Sequence, residues 1–251
     1  MRTANSLRII GGVAVVALLA ASQAGAEIAY NFGPTLVGTQ PDGNFSLGTE
    51  FTVGTTPIVI DQLGAFDSGA DGIGGVGIDV AIYSITLNGT AITGGSLVVP
   101  SFHFSGTAQS LLPGTTTRVA SIAPVTLYAG TYMVVANHYG VSDSEVDYNP
   151  YWVDGVRSPT APNACSANSA FGVTYGGGAY NYPDGNDLSW GSTIGSPLPT
   201  GWTYDDNWSG SPSAPRYAAG NFDFAEVPEP STLALAGLGS LSLLLLRRRE
   251  S

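Results

Sequence analysis

Through the middle of the chain, apolar residues recur at every second position in short runs, and turn-forming residues separate the runs. Segment 77–85 is the clearest. Ile78, Val80 and Ile82 fall on one face of an extended chain, and Asp79, Ala81 and Tyr83 fall on the other. Asn88-Gly89 follows, a dipeptide that tolerates the positive φ angles of a two-residue hairpin turn. Segment 51–60 reads as strand, turn, strand. Segments 97–104, 118–127 and 132–138 are further strands, with Ala129-Gly130 turning the chain before the last of them. Segment 217–224 predicts a closing strand with Phe222 and Phe224 on one face. No part of the body holds a 3.6-residue period over three turns. The pattern predicts an all-β fold, a single β-sandwich or jelly-roll-like domain. Between positions 148 and 217 the alternation fades into Trp, Tyr, Gly, Asn and Pro. Gly176-Gly177-Gly178 reads as loop there, and the region predicts long loops over one edge of the sandwich.

The two ends follow a different pattern. Arg2 and Arg8 introduce an apolar run over 9–21, and Ala24-Gly25-Ala26 follows with small residues where a signal peptidase reads. Thirteen apolar residues are too few to cross a bilayer comfortably, which takes roughly 20. This predicts a secretory signal peptide over 1–26, cleaved after Ala26, with signal peptidase as a processing partner. At the other end, Val227, Pro228, Glu229 and Pro230 precede an uncharged run over 232–246 with eight Leu. Arg247, Arg248 and Arg249 stop the run two residues before the C-terminus. The run predicts a short single transmembrane helix, about 22 Å long at 1.5 Å per residue, whose Arg side chains snorkel to the interface. The positive-inside rule keeps the Arg cluster cytoplasmic and the body outside, as the signal peptide independently requires.

Charge then excludes several functions. Between these ends lie seventeen carboxylates and three Arg (118, 157 and 216), a formal charge of −14, and the chain has no Lys. Such a surface repels phosphate, so nucleic acid is not an expected partner. Cys165 is the sole Cys, so no disulfide forms within the chain.

Candidate chemistry in the body is thin. Asp143, Glu145 and Asp147 place acids at alternate positions and are candidate Ca²⁺ ligands, without the spacing of an EF-hand loop; no other cofactor is expected. Asp67 to Asp71-Gly72 and Asp184 to Asp187 are further acidic turns, expected to be solvated. Trp152, Trp190, Trp202 and Trp208 are candidate stacking platforms for sugar rings. His103 and His138 sit in strand surroundings, no Gly-x-Ser-x-Gly elbow is present, and no pair of carboxylates stands out for glycoside hydrolysis. The expectation is a body that is not an enzyme.

The order Pro-Glu-Pro, apolar helix, Arg cluster over 227–251 resembles the PEP-CTERM sorting signal of Gram-negative bacteria. That resemblance implies an exosortase as partner, a membrane-embedded transpeptidase that reads Val227 to Pro230. It also implies transient residence in the inner membrane as a precursor facing the periplasm, then delivery to the cell surface or extracellular matrix. Leu63 to Asp67, Asp71-Gly72, Val80 to Tyr83, Pro124 to Leu127 and Ala129 to Tyr132 resemble a module of other PEP-CTERM proteins, which implies a β-sandwich and no catalytic residues. The expected organisation is signal peptide 1–26, exported domain 27–226 and sorting signal 227–251. The leading expectation is a non-enzymatic surface or matrix protein. A carbohydrate-binding module for exopolysaccharide, Ca²⁺-dependent or not, is the second, and a secreted hydrolase the third.

Overall fold

A computed structural model describes residues 26–34, 36–38, 46–89, 91–139, 166–181, 203–205 and 218–227. They belong to one compact unit, Gln23–Val227, of the two into which the chain divides. Among the described residues the regular elements are strands and two single-turn 3₁₀ segments, Ser68–Ala70 and Ala170–Gly172. The strands are β1 (Glu27–Ile28), β2 (Tyr30–Asn31), β3 (Ser46–Val53), β4 (Ile58–Phe66), β5 (Ile73–Asn88), β6 (Ala91–Gly106) and β7 (Ser110–Leu111). They continue as β8 (Thr117–Leu127), β9 (Gly130–Asn137), β10 (Ser166–Ala167), β11 (Thr174–Asn181), β12 (Thr203–Asp205) and β13 (Gly220–Glu226).

Two large antiparallel sheets result, ordered β1-β13-β4-β8-β7 and β12-β11-β3-β9-β5-β6, with a small β10-β2 pair beside them. The chain changes sheet at the turn 54–57, between β3 and β4, and at Tyr128-Ala129, between β8 and β9. Alternation explains the packing. Ile58, Ile60, Leu63, Phe222 and Phe224 of the five-stranded sheet share one buried core with Phe51, Ile78, Val80, Ile82 and Val134 of the six-stranded sheet. The Phe51 and Phe222 rings meet at 4.6 Å between centroids. Gly220 lies where β13 comes nearest the other sheet: a Cβ there would stand 3.0 Å from Val134 Cγ2 and 3.2 Å from Val80 Cγ1. The two faces expected of 77–85 are therefore present, but neither faces water alone. Ala81, Tyr83 and Ile85 join Met133, Val135 and Ala179 in a second buried cluster on the far side of the six-stranded sheet.

Several buried polar groups tie elements together. Asn221 clamps β2 to β13: its Oδ1 accepts from the Tyr30 amide at 3.0 Å and its Nδ2 donates to the Tyr30 carbonyl at 2.7 Å. The Tyr139 hydroxyl lies 2.9 Å from the Phe66 carbonyl oxygen and 3.0 Å from that of Ala219, binding β4 to the start of β13. Asp67 departs from the expectation of a solvated acidic turn. It is fully buried, its carboxylate pairs with Arg118 Nε at 2.7 Å, and the Gly72 amide donates to it at 3.2 Å. Burial pushes the Asp67 carboxyl above its ordinary value, while the Gly72 amide and Arg118 pull it back.

The reading of Gly176-Gly177-Gly178 as loop is overturned. These glycines lie inside β11, which pairs with β3 and β12 across a bulge between Tyr175 and Gly178. Gly176 packs under a side chain rather than making a turn: a Cβ there would stand 2.6 Å from the Glu50 carboxyl carbon, so the Glu50 side chain would have to shift. The segment 148–217 thus contributes strands β10, β11 and β12 rather than loops alone.

Because Phe222 is wholly buried between the sheets, Phe222→Ala is expected to cost about 3–5 kcal/mol. Val37→Ala, at a position 55% exposed, is expected to change stability by less than about 0.5 kcal/mol. Denaturant unfolding of the two variants checks both, and equal losses would contradict the assigned core.

Candidate functional site

Strand β13 is where the fold meets the C-terminal segment. It lies between β1 and β4, with Glu226 opposite Ile58 and Glu27 opposite Phe224. The Val227 amide donates to the Pro57 carbonyl at 3.1 Å, so the sheet holds the backbone up to the first residue of the Val-Pro-Glu-Pro segment. Proline carries no amide hydrogen, and the residue before it is biased to extended conformations. Pairing of this kind therefore cannot continue through Pro228. Strand β1 starts at Glu27, the expected mature N-terminus, beside the end of β13. Both terminal segments thus leave the five-stranded sheet from neighbouring strands at one end.

A polar cluster forms at the opposite end. Asp79 on β5 lies directly across from His103 on β6, and its Oδ1 is 2.9 Å from His103 Nδ1. His138, just past β9, brings its Nδ1 to 3.7 Å from Asp79 Oδ2, beyond hydrogen-bond distance. Among the described residues that buried nitrogen has no hydrogen-bond partner. Burial lowers the His138 pKa, the Asp79 carboxylate raises it, and His103 adds to the lowering. His138 takes φ +70°, and Gly77 takes φ +85° with the His103 ring so close that a Cβ would stand 2.6 Å from it. The cluster was hidden from sequence by register. Counted from Asn88 opposite Ala91, a regular hairpin puts Asp79 opposite Pro100; three irregularities in β5–β6 carry it three residues on, to His103. Pro100, which lacks an amide hydrogen, sits at one of them.

A carboxyl pair forms in the five-stranded sheet. Asp223 is buried and hydrogen-bonded to the exposed Asp61, and the Gln62 amide donates to Asp223 Oδ1 at 2.8 Å. Burial first, then the bond and the negative charge of Asp61, raise the Asp223 pKa to about 7. Carboxyls in direct contact hold a proton between them. The pairs that cleave glycosides stand about 5 Å or more apart, with the sugar between them.

The other expected site residues lie outside the described residues: Ala24, Asp143, Glu145, Asp147, Trp152, Trp190, Trp202, Trp208, Pro228, Glu229, Pro230, Arg247, Arg248 and Arg249. The expected transmembrane run 232–246 does so too. Among the described residues no helix is long and apolar enough to cross a membrane, and no three His, Cys, Asp or Glu are grouped to hold a metal ion.

Comparison with family models decides the C-terminal segment, matching it over residues 226–249. This segment is a PEP-CTERM protein-sorting motif. Its presence implies exosortase-dependent sorting of an exported protein, and its first matched residue, Glu226, is the last residue of β13. The PEP-CTERM motif thus begins inside the folded sheet rather than beyond a linker. No curated protein and no solved structure matches the chain.

The carboxyl pair gives a pH test. Asp223 has a folded-state pKa of about 7 against an ordinary 3.8, so the folded state binds the proton more tightly. Its contribution is fully present below about pH 4 and is lost as pH rises to about 7. Asp223→Asn is expected to remove that slope and to exceed the wild type in stability at pH 8, measured by unfolding from pH 4 to 8. Parallel profiles would contradict the pair. His138, with a depressed pKa, acts in the opposite sense in both proteins, losing stability as pH falls below about 6.5.

Proposed function

We propose that this chain is an exported, non-enzymatic protein of the cell surface or extracellular matrix. It is held in the inner membrane by the apolar run 232–246 and processed by an exosortase at Val227 to Pro230. The observation that carries the reading is the sorting motif at 226–249, set against a body whose last strand ends where the motif starts. The signal-peptide pattern over 1–26 supports export, and Arg247 to Arg249 support a cytoplasmic C-terminus.

The polar assemblies of the body support a structural role. Asp67 and Arg118 are buried against each other. Asp61 and Asp223 touch directly. Among the described residues neither His103 nor His138 is hydrogen-bonded to a Ser, Thr or Cys that it would activate as a nucleophile. The net charge of −14 over 27–226 keeps such a body soluble among polyanionic surface polymers without binding them by charge.

Fractionation of the native host expressing the wild type beside a Pro228→Ala/Pro230→Ala variant tests the reading. The wild type is expected as a shortened species at the surface or in the medium, and the variant as a full-length species in the inner membrane. The same size and location for both would overturn motif-dependent processing.

A further inference from the structure

Among the described residues, charges are unevenly placed along the strand axis. Asp67, Asp71, Asp79, His103, Arg118 and His138 all lie where β4 and β9 end and where β5 and β8 begin. At the other end, where β13 finishes, the turn 54–57 is Gly-Thr-Thr-Pro and the turn after β8 is Tyr-Ala-Gly. The β5–β6 hairpin points the same way: Ser84 pairs with Tyr132, near the start of β9, and the chain runs on to its tip at Asn88-Gly89. From Tyr83 to Phe102 there is no charged residue and no His. Among the described residues the charged ones at this end are Glu27 and Glu226, the two residues at the points where the chain enters and leaves the fold. Tyr128 is 66% exposed there, and its carbonyl accepts from the Tyr132 hydroxyl at 2.8 Å, which fixes the turn that presents it.

We infer that this uncharged end is a membrane-docking surface, seating the 54–57 turn, Tyr128 and the β5–β6 tip on the lipid interface while the precursor is anchored. The inference rests on the reading of 232–246 as a membrane helix. Chain length carries it from there. Val227 is bonded to the sheet at Pro57, and the apolar run starts at Thr232, five Cα steps away. Fully extended, five steps reach about 18 Å, less than the thickness of the interfacial zones plus a domain radius. The end that carries Pro57 must therefore face the bilayer closely. Anionic headgroups repel carboxylates and accept an uncharged surface, and an exposed Tyr favours the interface, with its ring in the apolar boundary and its hydroxyl in water. Strand β1 begins at the same end, with Glu27 opposite Phe224.

The test uses the full-length chain with Cys165→Ser, reconstituted in phosphatidylethanolamine–phosphatidylglycerol vesicles. A fluorophore is placed on Tyr128→Cys, on Thr55→Cys, or on Asp71→Cys at the far end, all exposed positions. Nitroxide-bearing lipids are expected to quench positions 128 and 55 several-fold more than position 71. Equal quenching at the two ends, in protein that floats with the vesicles, overturns the docking surface and leaves the anchor standing. Contrast that appears only in membranes containing the exosortase overturns it in favour of a protein partner. Failure to float removes the anchor reading and the docking surface with it.

Discussion

The insertion of β13 between β1 and β4, with Phe222 and Phe224 turned inward onto the six-stranded sheet, holds the molecule together. Both rings are fully buried, Phe51 meets Phe222 across the core, and the preceding Asn221 ties in β2 through paired bonds to Tyr30. A strand contributed by the last residues of the body therefore closes a sheet begun by its first. Burial of two Phe side chains is worth about 3–6 kcal/mol in transfer terms, a large part of the net stability of a domain this size. The same strand delivers the sorting motif, so completion of the fold and presentation of the motif depend on one set of contacts.

Placement of charge follows from that arrangement. Among the described residues the core admits one ion pair, Asp67 with Arg118, and removing either partner would leave a buried charge at a cost of about 3–5 kcal/mol. The remaining described charges lie in mid-sheet, at the Asp–His end, or at the two chain exits. The sorting motif follows directly on the end of the fold that carries few of the described charges.

Much of this architecture was legible in the sequence. Period-two alternation located β5, β8, β9 and β13, Asn88-Gly89 marked the β5–β6 hairpin, and the terminal pattern of Pro, Leu and Arg identified the sorting signal. Three things were not legible, each for a physical reason. Strands β1, β2, β7 and β10 have two residues each, too few for any period to show. Gly176 to Gly178 carry no side chain to alternate, and their strand state comes from pairing with β3 and β12. The meeting of Asp79 with His103 and His138 depends on bulges that shift register by three residues and on a left-handed residue past β9, which single-strand patterns do not encode. The contact of Asp61 with Asp223, whose pKa is raised, joins positions 162 apart in sequence, across neighbouring strands.

An exported body whose fold ends at Glu226 and whose sorting segment begins there makes a definite statement about the mature molecule. Intact-mass measurement of the protein recovered from its native host addresses it most directly. The account predicts an N-terminus at Glu27 and a C-terminus no earlier than Val227 and before the apolar run, with β13 complete. A polypeptide ending at Ser251 and retained in the cytosol, or one trimmed back into 220–226, would contradict it.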